Sequence, residues 1–185
     1  MNPVEYALKI DGWMREMELR WLSRTAAALQ PGAIWLEVGA WKGKSWSCVA
    51  LSLPMDSTII AVDTFRGEDL EPLKYVQEHG PVMSDFIRVH EEVRAMRPDL
   101  KTSILTMRSV DAAQFVIDGS CDGIFIDGDH RTGAVLDDIR AWLPKLKPGG
   151  LLCGHDADDP NVMAALKGFS FACDQSVRGS IWCLQ

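Results

Sequence analysis

Asp127-Gly128-Asp129-His130 and, further along, His155-Asp156 gather carboxylates and imidazoles into two very short stretches. Carboxylate oxygens hold a hard divalent cation or accept the hydrogen bond of a substrate hydroxyl. An imidazole, with an ordinary pKa of about 6.5, takes up a proton near neutral pH and so suits a general base. His130, three residues past Asp127, is read as that base, with Asp127 beside it as the substrate-side carboxylate. His155 competes for the role, but beside Asp156 it points instead towards a metal or braces that carboxylate. Another group precedes them, Glu37-Val38-Gly39 followed by Gly43-Lys44-Ser45. Glycines in such a turn let a ligand lie against backbone from which a Cβ would hold it off. The helix start that follows offers free N–H groups and a positive dipole end to a polar or anionic ligand group. Asp63, 20 positions past Gly43, stands where a carboxylate can accept hydrogen bonds from ribose hydroxyls.

Each of these groups sits where an apolar run stops. Ile34-Trp35-Leu36 runs into Glu37, Thr58–Val62 into Asp63, Gly123-Ile124-Phe125-Ile126 into Asp127, and Leu151-Leu152-Cys153 into Gly154-His155-Asp156. Short apolar runs of this kind read as buried strands. Trp46, Val49, Ala50 and Leu53 before Pro54, and Val135, Ile139 and Leu143 before Pro144, recur at helical spacing and read as crossover helices. Parallel strands joined by such helices end on one edge, where open α/β sheets take their ligands. A further strand is expected at 103–107, leading to Ser109 as the cap of a helix through Val116.

The remaining segments frame that edge. Residues 3–30 read as helix closed by Pro31-Gly32, with Met14, Met17, Trp21, Leu22 and Leu29 inward and Arg15, Glu18, Arg20 and Arg24 outward. Residues 64–100 are the least regular part, a lid or substrate loop in which Phe86, Val89, Val93 and Met96 mark one helix. Pro148-Gly149-Gly150 is read as the turn into the strand at 151–153, and Asp159-Pro160 as a helix start. Residues 169–173 and 180–184 alternate as a closing hairpin around Val177-Arg178-Gly179.

Spacing separates the glycine turn from other nucleotide loops. A phosphate-binding P-loop has four residues between its first glycine and Gly-Lys-Ser, and Ala40-Trp41-Lys42 supply three. A dinucleotide fingerprint has a middle glycine, which Ala40 and Trp41 do not provide. What remains, Glu37-Val38-Gly39-Ala40-Trp41-Lys42-Gly43-Lys44-Ser45, resembles the first motif of the class I S-adenosylmethionine-dependent methyltransferases. Phe125-Ile126-Asp127-Gly128-Asp129-His130, then Leu143 to Gly150 in the pattern Leu-x-x-Leu-x-Pro-Gly-Gly, then His155-Asp156, is similar to a small-molecule O-methyltransferase branch like methyltransferase family 24. Together these motifs cover residues 10–170.

The resemblance implies a three-layer α/β/α, Rossmann-like domain with a seven-stranded, mostly parallel sheet and an antiparallel closing strand beside the sixth. It implies one methyltransferase domain over 1–185, with 1–31 as an N-terminal helical cap and Ile10-Asp11-Gly12-Trp13-Met14 as a lead-in over the active site. S-adenosylmethionine is the implied cofactor, with Glu37 near its methionine end, Ser109 on its adenine side, and Gly39, Trp41, Gly43, Ser45, Asp63, Thr64 and Asp127 completing the set. A hydroxyl of a small molecule is the implied acceptor. Many members of the branch use Mg²⁺, here assigned to Asp127 and Asp156 with His155 as third candidate. The chain departs from catechol-type relatives at Ala157, where they carry Asn, and from sugar-acting ones at His155, where Glu is common.

Composition narrows the remaining classes. The 185 residues suit one domain, and 47% apolar with 24% charged residues is ordinary for a globular chain. A formal charge of −7 without a basic stripe argues against nucleic acid as partner. No apolar run approaches a membrane span, and Met1-Asn2-Pro3-Val4-Glu5 lacks a signal peptide's features. Five scattered cysteines without Cys-x-x-Cys fit structural thiols in a reducing cytoplasm. A homo-oligomer is compatible with all of this. Two rivals remain: a P-loop-like nucleotide enzyme, which fails on loop length, and a non-catalytic S-adenosylmethionine-binding partner, against which Asp127, His130 and Asp156 speak.

Overall fold

The computed structural model describes residues 2–67, 77–177 and 180–184. Its sheet consists of β1 (Ile34–Val38), β2 (Thr58–Val62), β3 (Lys101–Leu105), β4 (Cys121–Ile126), β5 (Leu146–Gly154), β6 (Phe171–Cys173) and β7 (Trp182–Leu184), in the order β3-β2-β1-β4-β5-β7-β6. The first five pair in parallel, and β7 runs antiparallel to both β5 and β6. The expected seven-stranded, mostly parallel sheet is therefore present, with β7 slotted beside β5. Strand order reverses between β1 and β4, and a crevice opens at their carboxyl ends.

Alternation along each strand builds the two helical layers. Trp35 and Phe125 point to one face, where they pack with α1 (Pro3–Ala7), α2 (Glu16–Ala27), α3 (Lys44–Ser52) and α4 (Val82–Met96). Leu36, Ile124 and Ile126 point to the other, against α5 (Ser109–Ala112), α6 (Thr132–Trp142) and α7 (Pro160–Leu166). Trp35, Trp46, Trp142 and Trp182 are all fully buried, and side chains of this size stabilise by roughly 1.5–3 kcal/mol each. Gly154 is there for one of them: a Cβ would lie 2.2 Å from Trp182 Cζ2 and 2.5 Å from the Ile126 carbonyl oxygen. Arg97, just past α4, closes α3: Nη1 donates to the Ala50 and Leu53 carbonyls (3.1 and 2.9 Å), and Nη2 donates to the Pro54 carbonyl (3.2 Å) and Asp99.

Several boundaries differ from the sequence reading. The expected helix over 3–30 is two helices, because the chain between them turns through Gly12 at φ +140. β3 begins and ends two residues earlier than 103–107, since an edge strand needs no apolar start and Lys101 is exposed. β5 begins at Leu146 and takes Pro148-Gly149-Gly150 into the strand as an irregularity opposite the stretch Cys121 to Gly123. The helix expected to be capped by Ser109 instead begins at Ser109, with Arg108 as its cap; it stops at Ala112 and continues as one 3₁₀ turn to Phe115. Glu18, read as outward-facing, is fully buried with Leu19, Leu22 and Ala26. Of the expected lid at 64–100, residues 68–76 lie outside the described residues, and α4 buries Phe86, Val89 and Val93. Arg178 and Gly179 of the hairpin also lie outside them. Among the described residues no helix is long and apolar enough to cross a membrane.

Candidate active site

A cleft of about 2040 Å³ opens along the carboxyl ends of the parallel strands. The glycine turn, Asp63, Ser109, the 127–131 stretch and the 155–160 stretch all line it, and Trp13 and Met14 reach it from the N-terminal segment. Three non-glycine residues at strand ends adopt left-handed backbone here: Trp41 (φ 44), Phe65 (φ 55) and Asp156 (φ 55). Such conformations cost roughly 1 kcal/mol or more each and cluster at functional sites.

On the glycine-turn side, β1 delivers Glu37 into full burial, where its Oε1 accepts the Ser45 hydroxyl at 2.6 Å while Oε2 has no hydrogen-bond partner among the described residues. Burial pushes Glu37 up to about 8, Ser45 opposes this, and the charges of Asp127 and Asp63 add to it. Asp63 is likewise raised by burial, although its oxygens accept the Trp41 N–H at 2.7 Å and the Phe65 N–H at 2.6 Å. Asp63 therefore braces both loops as well as facing the cleft, beside Thr64. Glu37 and Gly43 lie behind the cleft wall.

Gly39 corrects one reason given above for a glycine. It has φ +87, and a Cβ would sit 1.9 Å from the Asp127 carbonyl oxygen. The close approach that demands glycine is to the neighbouring strand's own backbone, which locks the glycine turn to the Asp127 turn. Gly43, also left-handed, caps α3 and faces Phe86 and Val89. Lys44, which would contact phosphate in a P-loop, instead donates from Nζ to the Gly12 carbonyl at 2.8 Å. Lys42 donates to Asp11 at 2.9 Å, and Trp13 lies on Trp41 with ring centroids 4.5 Å apart. The lead-in is thus held against the glycine turn from three directions.

On the far side, His130 Nε2 lies 2.9 Å from Asp156 and 3.9 Å from Asp127. His155 Nδ1 lies 3.1 Å from Asp156 and 3.6 Å from Asp127, and its Nε2 faces Glu18 at 3.3 Å. Hydrogen bonding of its ring to the Asp127 and Asp156 carboxylates raises His130 to about 10. Burial alone would lower His155, but Asp156 and Glu18 carry it to about 10 as well. Burial would raise Glu18, yet His155 and Arg15 hold it at about 2. Asp156 is likewise held far below the usual range by His130 and His155, against the effect of burial. Two imidazole rings thus lie among three carboxylates, which favour the protonated form of each ring and work against His130 as a free base.

Asp127, His130 and Asp156 offer ligand atoms within 4.8 Å of one another. Two oxygen donors and an imidazole suit a hard or borderline divalent cation. His155, the expected third ligand, lies outside this trio and turns one nitrogen to Glu18. Glu18 and Ser180, buried behind His155 rather than lining the cleft, escaped the sequence reading. The available signal was that Glu18 shares the 18-22-26 stripe with buried Leu22 and Ala26. Ser180 had no signal, since its role arises only when β7 closes beside β5.

An open, mostly parallel α/β sheet with a glycine turn after β1 and an acidic residue following β2 is the arrangement that the resemblance to the class I S-adenosylmethionine-dependent methyltransferases implies. The family model described as "Methyltransferase domain", methyltransferase family 24, matches residues 36–157, and the chain belongs to that family. An uncharacterised protein of Sinorhizobium fredii is 26% identical over 136 residues, which are 71% of this chain and 14% of that protein. The chain therefore spans only about one-seventh of that relative. A structural-genomics protein from Corynebacterium glutamicum superposes with TM-score 0.69 at 16% identity, over 99% of this chain and 88% of that one. The O-methyltransferase TomG of Streptomyces achromogenes, solved with S-adenosylmethionine, gives 0.67 at 13% identity over 100% and 89%. A methyltransferase of Podospora anserina, bound to S-adenosylhomocysteine, gives 0.66 at 11% over 99% and 85%. At these identities the likeness is one of fold.

Proposed function

We propose that the protein transfers a methyl group from S-adenosylmethionine to a hydroxyl oxygen of a small molecule. The observation that carries this is the meeting of Asp127, His130 and Asp156 in the cleft that the glycine turn also lines. The cofactor supplies an electrophilic methyl on a sulfonium. Its positive charges suit a wall holding the fully buried Glu37 and the half-buried Asp63, neither of which has a cation beside it among the described residues. Ser45, Asp63 and Ser109 supply polar contacts along the cofactor wall. Asp127 or Asp156 accepts from the acceptor hydroxyl and orients it.

Proton removal falls to His130 or to the carboxylates it joins. His130 takes the acceptor's proton only after giving its own to solvent, which its two carboxylate partners resist. A Mg²⁺ ion held by Asp127 and Asp156, with His130 as a further donor, would make the hydroxyl easier to deprotonate. Chain segments 1–31 and 64–100 serve on this reading as cap and substrate loop of a single domain.

Calorimetry with S-adenosylmethionine, ATP and NAD, followed by S-adenosylhomocysteine release over catechols, phenols and methyl glycosides with and without chelator, tests the assignment. Binding of the first ligand alone, with turnover of a hydroxyl acceptor, is expected. No S-adenosylmethionine binding would refute it, and binding without turnover of any hydroxyl would favour a non-catalytic partner. Full activity after chelation would remove the metal and leave Asp127 as a hydrogen-bond acceptor.

A further inference from the structure

Of the seven tryptophans four are fully buried, and only Trp13 is exposed, at 71%. A single apolar side chain in water is ordinary on an open surface. This one lines the cleft, on a segment that the glycine turn pins on both sides of it. Lys42 Nζ donates to Asp11 at 2.9 Å, and Lys44 Nζ donates to the Gly12 carbonyl at 2.8 Å. Past Trp13 the chain goes under cover again: Met14 is buried, and Glu18 lies 3.3 Å from His155. The segment therefore runs from the glycine turn to the His155-Asp156 turn, and Trp13 is the residue it leaves open to the cleft between them.

The surroundings of the indole say what it can take. Trp41 covers part of it, with ring centroids 4.5 Å apart and a 40° tilt, which leaves no room for a third ring between the two. His79 stands edge-on to both, 5.9 Å from Trp13 and 6.0 Å from Trp41. A ligand ring must stack on the Trp13 surface that remains open. The polar groups flanking that surface are already engaged. Asp11 accepts from Lys42 and from the Gly12 N–H at 3.0 Å, Lys44 is held by the Gly12 carbonyl, and Trp41 Nε1 is buried. The hydroxyls of a sugar ring laid here would find few partners, whereas a flat aryl ring needs only the π surface.

We propose that Trp13 is a specificity-determining residue of the acceptor site, and that the acceptor is a planar aryl alcohol whose ring stacks on this indole while its hydroxyl reaches Asp127 and Asp156. This rests on the methyl-transfer reading and names a substrate class for it.

Titration calorimetry on the full chain saturated with S-adenosylhomocysteine tests it. Phenol and 2-naphthol are compared with their ring-saturated counterparts, cyclohexanol and decahydro-2-naphthol, and with methyl β-glucopyranoside. Wild type should bind each aryl alcohol more tightly than its saturated counterpart and than the pyranoside. Trp13→Ala should weaken the aryl alcohols about tenfold and S-adenosylhomocysteine far less. Trp13→Phe should recover most of that loss; Trp13→Leu, which keeps apolar bulk without a π face, should not. A wild type that binds no aryl alcohol, or prefers a saturated ring or the pyranoside, overturns the proposal. So does a Trp13→Ala variant that keeps the aryl preference, or equal recovery by Phe and Leu. An equal loss of S-adenosylhomocysteine affinity would place Trp13 on the donor and also overturn it. Failure of S-adenosylhomocysteine to bind wild type strikes the methyl-transfer reading and this proposal with it. Normal binding of that ligand without an aryl preference strikes this proposal alone.

Discussion

Two buried glutamates in this molecule meet opposite fates, and the difference is whether a cation stands beside them. Glu18 has Arg15 and His155 and is held at about 2; Glu37 has a hydroxyl and two like charges nearby and is pushed to about 8. At pH 7 the free protein therefore keeps a proton on Glu37. A ligand bearing ammonium and sulfonium charges lowers that pKa, so binding S-adenosylmethionine at pH 7 should release about one proton. Calorimetry in buffers of different ionisation enthalpy reads this directly. The apparent binding enthalpy should change with buffer in wild type and become buffer-independent in Glu37→Gln. A buffer-independent wild type would detach Glu37 from the cofactor.

At the scale of elements, the helix after the glycine turn is short and depends on help from outside. α3 spans Lys44–Ser52, and its last carbonyls are met by the Arg97 guanidinium, which α4 carries into place. Removing that fork leaves carbonyls at the negative end of the helix dipole unpaired. Arg97→Ala should destabilise the protein by about 2 kcal/mol, and Arg97→Lys should recover only part, since one ammonium cannot span three carbonyls. Urea midpoints check both; an unchanged Arg97→Ala midpoint would make the clamp ornamental. The central elements were legible in the sequence because burial on both faces makes β1, β2 and β4 read as unbroken apolar runs. The cofactor-side turn was legible because its glycine spacing differs from that of other nucleotide loops. What escaped has physical reasons. β3 is an edge strand with little apolar signature, and a single Gly12 splits what looked like one helix. Glu18 looked solvated because the partners that make its burial tolerable lie 137 and 162 positions away, at His155 and Ser180. The glycine at 39 was found, but its cause was a strand neighbour that no local pattern records.

For the whole molecule, the shifted groups set the pH at which it is most stable. Glu18, lowered from 4.5 to about 2, contributes stability present above about 4.5 and lost as pH falls towards 2. His130 and His155, raised from 6.5 to about 10, contribute stability present below about 6.5 and lost as pH rises towards 10. Asp138, which burial raises from 3.8 to about 6, contributes stability that is lost as pH rises through that range. Glu37, raised from 4.5 to about 8, likewise loses stability as pH rises above 4.5, so stability should peak at about pH 4. Asp138→Asn should gain up to about 3 kcal/mol at pH 7.5 and nothing at pH 4, because an amide can still accept from Ser109 without ionising. Urea titrations at the two pH values check this, and an equal gain at both would refute it. The slot that β7 fills between β5 and β6 also has a consequence in time. Chains leave the ribosome N-terminal side first, so β1 to β5 and the glycine turn are in hand before residues 180–184 emerge. Only then do Ser180 and Trp182 take hold of the 155–157 turn. In every newly made copy the wall built on the glycine turn is therefore older than the grip that fixes the 155–157 turn.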